Sequence, residues 1–123
     1  MAEAAVGARR RGLCGEQQAA AWLAARGYMI LARNFRCRTG EIDIVAQKDG
    51  ALAFIEVKSW RTFGRAELEY SIGAAKRRKI ALAARHFLRT HPQLAGGAMR
   101  FDVVLLGGGR IEHLENAFSG SVD

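Results

Sequence analysis

An Asp-Gly pair at positions 49 and 50, set between two apolar runs, constrains this chain more than any other feature. Such a pair favours a two-residue turn with both central residues at positive φ, and so commits the flanking segments to an antiparallel hairpin. The strands are expected at about 41–47 and 51–58. With Asp49 and Gly50 as the whole loop, Lys48 pairs with Ala51, Asp43 falls opposite Glu56, and Glu41 falls opposite Lys58. Side chains alternate along a strand, so Asp43, Glu56 and Lys58 share one face amid Ile, Val and Phe. Directly opposed Cβ atoms lie about 4.5–5.5 Å apart, and like charges so placed are destabilising. Two carboxylates and a lysine gathered at that cost point to a metal site. Neutralising either acid is then expected to relieve strain in the metal-free protein.

The 123 residues suffice for one compact domain with a real core and are too few for two. We divide them into a basic arm at 1–11, a single domain at 12–116 and a frayed tail at 117–123. Half of the residues are apolar, yet no run approaches the roughly 20 needed to span a bilayer. The Ala-rich start, with Arg9-Arg10-Arg11, lacks the apolar segment of a signal peptide. Cys14 and Cys37 show no metal or redox spacing and are expected as free thiols in the cytoplasm. A net charge of +7 suits a polyanion, nucleic acid before anionic membrane; solubility alone is the bland alternative.

In chain order, Gly12 to Arg26 has a helical pattern ending at Gly27. Leu13, Glu16, Ala20, Leu23 and Ala24 share one face. Glu16 on that stripe either complements the macrodipole or reaches toward a metal or substrate. Tyr28 to Phe35 is a first strand, followed by the hairpin. The segment 59–71 has no period; its Trp60, Arg61 and Arg65, with Arg36 and Arg38 before the hairpin, are candidates for contacting nucleic acid. Ile72 to Thr90 is a second helix, stopped before Pro92. Lys76 lies within its apolar face, as a snorkelling lysine or a site residue. Arg77, Arg78 and Lys79 point elsewhere, toward solvent or phosphate. Arg100 to Leu106 reads as a buried strand, Gly107-Gly108-Gly109 as a turn rather than a phosphate loop, and Arg110 to Glu115 as a last short strand. Asp102 is a possible fourth acid, with a nearby arginine as the simpler partner; His86 lies close to the edge of the second helix's apolar face, His91 and His113 are isolated, and none of the three is taken as a ligand. The order is α-β-β-β-α-β-β, an α/β domain on a mixed sheet.

Asp43 followed by Glu56-Val57-Lys58 resembles the signature of the PD-(D/E)XK, or restriction-endonuclease-like, nucleases, over most of the chain from Gly12 to about Leu106. Ile42 stands where that signature often has proline. The segments Gly-Glu-Ile-Asp, Phe-Ile-Glu-Val-Lys and Arg-Phe-Asp-Val-Val are similar to those of the YraN-like group of small bacterial proteins, which resembles archaeal Holliday-junction resolvases. The resemblance implies an αβββαβ core, with the mixed sheet flanked by helices. It also implies a metal-dependent endonuclease acting on DNA, branched DNA included, and a symmetric dimer as a working unit. Carried over, Asp43 and Glu56 hold Mg²⁺ or Mn²⁺, Lys58 serves the attacking water, Glu16 matches an upstream helical acid and Lys76 an assisting helix residue. The Val57 carbonyl is a further oxygen ligand. The chemistry suits the residues, because Mg²⁺ takes one or two carboxylates plus waters and phosphate. Held close to two carboxylates, Lys58 is expected to favour its charged form. The alternative is a nucleic-acid-binding module that keeps the fold without cutting.

Overall fold

The computed structural model describes residues 15–59 and 72–120. Helix α1 covers 15–25. It ends where Gly27 takes φ 94°, a conformation that costs glycine nothing. The Tyr28 N–H donates to the Leu23 carbonyl and the Gly27 N–H to that of Ala24, the paired bonds of a Schellman cap. The chain then forms β1 (Met29–Cys37), β2 (Gly40–Lys48) and β3 (Ala51–Ser59), followed by α2 (Ala74–Thr90). A short 3₁₀ turn at Pro92–Leu94 precedes β4 (Ala98–Gly107) and β5 (Arg110–Phe118). The five strands lie in chain order; β3 and β4 run parallel and the other neighbours antiparallel. The expected element order and the mixed sheet are both observed. Among the described residues no helix is long and apolar enough to cross a membrane.

Asp49 and Gly50 take φ 51° and 78°, and Lys48 pairs with Ala51 as the turn chemistry requires. That register drives the core to both sides of the sheet. Leu52 and Phe54 of β3, with Val45, Phe101, Val103 and Leu105, pack under Ile80, Ala83, Ala84 and Phe87 of α2. Ala53 and Ile55, with Ile44, Ala46 and Val104, pack under Ala19, Ala20 and Leu23 of α1. Arg77, expected on an outer face of α2, is instead tied down, its Nε 2.8 Å from the Ile72 carbonyl. The final strand also runs farther than expected. It continues to Phe118, which is buried against Phe101 with ring centroids 5.3 Å apart, so the ordered domain passes 116. The arm at 1–11, the segment 60–71 with Trp60, Arg61 and Arg65, and Cys14 lie outside the described residues.

Gly40 opens β2 close against the backbone of α2. A Cβ there would stand 2.7 Å from the Lys79 carbonyl oxygen, which belongs to backbone and cannot swing away. Gly40→Ala should therefore cost about 1–3 kcal/mol, the scale of overpacking, and lower the denaturant midpoint with the m-value unchanged. A melt matching wild type would mean that α2 has room to move.

Candidate active site

Where β2 and β3 separate, the polar residues of the hairpin gather. The described β2–β3 ladder ends at the pair Ile44–Ile55. Beyond it β3 pairs onward with β4 through Ser59, while β2 pairs with β1 through Gly40. The strand also turns at Asp43. Ile42 packs on the α2 side and Ile44 on the α1 side, and neighbouring Asn34 of β1 takes φ 53°. Asp43 is therefore not locked in a ladder pair with Glu56, as a continuous hairpin would have it. Its Oδ2 accepts the Val57 N–H at 2.8 Å across the opening. Glu41 is likewise not opposite Lys58. It pairs with Arg36 on β1, both as ladder neighbour and through an exposed ion pair of 3.2 Å.

Glu56 follows Leu52 and Phe54 on the α2 side and is 7% exposed. A carboxylate this deep requires a partner, and α2 supplies one: Lys76 Nζ lies 2.7 Å from Glu56 Oε1. Lys58 Nζ is farther from the same oxygen, at 3.8 Å. Lys76, though exposed along its stem, thus turns its ammonium to Glu56. Burial and the neighbouring Lys76 push the Lys58 ammonium below the usual lysine range, against the pull of Glu56 and Asp43. The two carboxylates alone would favour its charged form; burial and the second lysine reverse the balance. For Lys76 burial acts downward, but its contact with Glu56 outweighs that and raises its pKa. Asp43 is pushed up to about 7, first by burial and then by the charge of Glu56, with Glu16 adding to it.

Glu16 is the third acid. It is half-buried on α1, and among the described residues its Oε2 is buried without a hydrogen-bond partner. An orphaned carboxylate oxygen in electrostatic reach of Asp43 is unusual, because buried polar atoms are nearly always satisfied. Among the described residues no three His, Cys, Asp or Glu side chains form a cage for an ion by themselves. Mg²⁺ itself keeps several waters and uses one or two carboxylates. The donor set of Asp43, Glu56 and the Val57 carbonyl, with Glu16 beside it, is all oxygen and fits such an ion.

The expected nucleic-acid contacts divide. Arg36, Arg38 and Lys79 line one shallow cavity of about 310 Å³ around Gly40. Arg78 is exposed on α2, whereas Arg77 is engaged in holding the helix start. Sequence reasoning missed Asp102 and His113 as a pair. Asp102 is fully buried, accepts from Arg100 Nε at 3.0 Å, and lies 2.7 Å from His113 Nε2. The nearby arginine was legible, two residues away on the strand; the histidine, across a strand pair, was not.

Residues 15–106 match the model of an uncharacterised protein family, UPF0102. A UPF0102 protein of Azorhizobium caulinodans is 50% identical over 112 residues, covering 90% of this chain and 84% of the relative. One of Treponema pallidum (strain Nichols) is 45% identical over 95 residues, covering 77% and 75%. One of Gloeobacter violaceus is 44% identical over 110 residues, covering 80% and 84%.

Proposed function

This chain belongs to the UPF0102 family, and on that premise we propose that it is a metal-dependent endonuclease of the restriction-endonuclease-like kind, hydrolysing phosphodiester bonds in DNA. The observation that carries the reading is the meeting of Asp43, Glu56, Lys58 and Lys76 at the point where β2 and β3 part, beside the unpartnered oxygen of Glu16. Asp43, Glu56 and the Val57 carbonyl would hold Mg²⁺ or Mn²⁺. When bound, such an ion neutralises charge on phosphoryl oxygens and lowers the pKa of a coordinated water. Lys58 orients the attacking water, its ammonium held below the usual lysine range by burial and by Lys76. Lys76 stays charged beside Glu56 and offsets negative charge on the phosphate. The cations Arg36, Arg38 and Lys79 line a track for the backbone. We place this activity in the cytoplasm, where the free thiol of Cys37 is at home. Branched DNA as preferred substrate, and a symmetric dimer carrying two sites, extend the same proposal.

One observation favours a second reading, a binder that does not cut. Lys76 stands 2.7 Å from the Glu56 oxygen that an ion would use. The experiment that decides is a panel of junction, flap and linear DNA with Mg²⁺ or Mn²⁺ against a Glu56→Ala control. Metal-dependent cleavage lost in the control supports the nuclease; tight binding without cleavage supports the second reading. Affinity should in either case fall steeply with salt, as counterions are released. Binding indifferent to salt would remove both.

A further inference from the structure

The sheet face opposite Glu56 and Lys58 carries a second polar site. A cavity of about 800 Å³ opens between the end of α1, the end of β2 and β5, and its walls include Trp22, Arg26, Tyr28, Lys48, His113 and Glu115. The aromatic wall is fixed from behind. The His113 ring meets Trp22 and Tyr28 edge-on, at centroid distances of 6.1 and 5.7 Å, and is held by buried Asp102 at 2.7 Å. Arg100 bonds both the Tyr28 hydroxyl and Asp102. The cations are positioned too. The Arg26 guanidinium lies 4.0 Å from the centre of the Trp22 ring. Lys48 Nζ is anchored 2.7 Å from the Arg26 carbonyl and lies 5.3 Å from the Tyr28 ring centre.

We propose that this cavity binds one unstacked nucleotide, its base against the Trp22–Arg26 stack and the edge of Tyr28, its phosphate at Arg26 and Lys48. Every nucleobase has a π-face, and aromatic or guanidinium planes are the platforms on which unpaired bases stack. Glu112 and Glu115 line the same cavity, Glu115 with a carboxylate oxygen 3.8 Å from Arg100 Nη2. Carboxylates so placed repel a phosphate backbone laid across the opening and suit a single phosphate with a base whose exocyclic amine they accept. The inference rests on the nucleic-acid reading only for a strand as the source of the nucleotide; a free mononucleotide carries the same chemistry.

The test uses the full chain at low salt with three probes: AMP, a short fluorescein-labelled oligo(dA), and the same strand built of abasic sites. Wild type should prefer oligo(dA) to the abasic strand by about 5- to 150-fold, the yield of stacking one base. Trp22→Ala should cut that preference below about twofold, with folding checked by a thermal melt. Arg26 is exposed and outside the core, so Arg26→Gln carries the test should Trp22→Ala unfold; AMP affinity should then fall about tenfold, the scale of one charge-assisted hydrogen bond. AMP shifting the Trp22 indole N–H resonance while neither strand binds would keep the pocket and remove the strand reading. Salt-sensitive binding of both strands alike, with the AMP response absent, would overturn the pocket and leave the nucleic-acid reading standing.

Discussion

Asp43→Asn should make the metal-free protein more stable near neutral pH while removing its divalent-metal binding and cleavage. Asp43 carries a pKa pushed up to about 7 by burial and by Glu56, against an ordinary 3.8. The folded chain thus holds the proton longer than the unfolded one. Stability is fully present below about pH 4 and declines as pH rises through 7, because ionisation is then harder in the fold. Asparagine has no charge to lose, and its carbonyl can still accept the Val57 N–H that Asp43 Oδ2 takes at 2.8 Å. The expected gain is about 1–3 kcal/mol at about pH 8 and near zero at about pH 4, since a tenfold change in acidity is worth ~1.4 kcal/mol and the site is partly solvated. Metal affinity and cleavage should fall by at least the ~10–100-fold that follows loss of a mere outer-shell partner. Melts in EDTA at both pH values, with calorimetric titration of Mg²⁺ and Mn²⁺, check both halves. A variant that melts like wild type at both pH values and binds metal unchanged would remove Asp43 from the site.

Glu56→Gln should part company with it. A hairpin of opposed carboxylates predicts relief from either neutralisation, but Glu56 is buried and sits 2.7 Å from Lys76 and 3.8 Å from Lys58. Removing its charge leaves two adjacent ammonium groups without their counter-ion. Metal binding should be lost here as well, yet apo stability should drop rather than rise. The opposite signs in one pair of variants separate a carboxylate waiting for a cation from one already holding a lysine.

The hairpin was legible because Asp-Gly chemistry acts over two residues and fixes the register on either side. Helix ends were legible for the same reason: Gly27 and Pro92 each act on their immediate neighbours. The sequence could not convey where the ladder stops. Asp43 leaves the pairing where β2 turns, beside Asn34 of β1, which takes positive φ, and no local signal in β2 marks that point. Lys76 illustrates a second limit. Helical periodicity placed it on the inner face, but only the packing of α2 on the sheet shows that Glu56 is what it meets. Gly40 begins the Gly-Glu-Ile-Asp segment, and nothing local says why it is glycine; the approach of the Lys79 backbone supplies the reason.

Asp102→Asn should be the most damaging single-atom change in the described structure, and its pH signature should be the reverse of Asp43→Asn. Asp102 is fully buried at an irregularity of the β4–β5 ladder, which shifts register between Phe101 and Val103. Its carboxylate takes up what that irregularity leaves unpaired. Oδ1 accepts the Asn116 N–H at 2.8 Å, Arg100 Nε bonds both oxygens, and His113 Nε2 lies 2.7 Å from Oδ2. Asparagine matches the volume but brings an NH₂ group against one of these donors and leaves Arg100 without its buried counter-ion. Breaking such a pair from one side costs about 3–5 kcal/mol, a fall in Tm of roughly 10–25 °C for a domain of this size. Burial acts to raise the Asp102 pKa, but the bonds from His113, Asn116 and Arg100 outweigh it and hold it below the usual range. The unfolded chain therefore takes up the proton first as pH falls. The stability Asp102 contributes is present above about pH 4 and is lost as pH drops through its lower folded value. The gap between wild type and Asp102→Asn should be wide near neutral pH and close in acid, whereas the gap for Asp43→Asn should be absent in acid and open toward pH 8. Asp102 faces the α1 side, away from Glu56, so Asp102→Asn protein that remains folded at low temperature should still bind Mg²⁺. Urea melts at a series of pH values measure both gaps, and a loss under about 1 kcal/mol near neutral pH would mean that the network reseats itself around a neutral side chain.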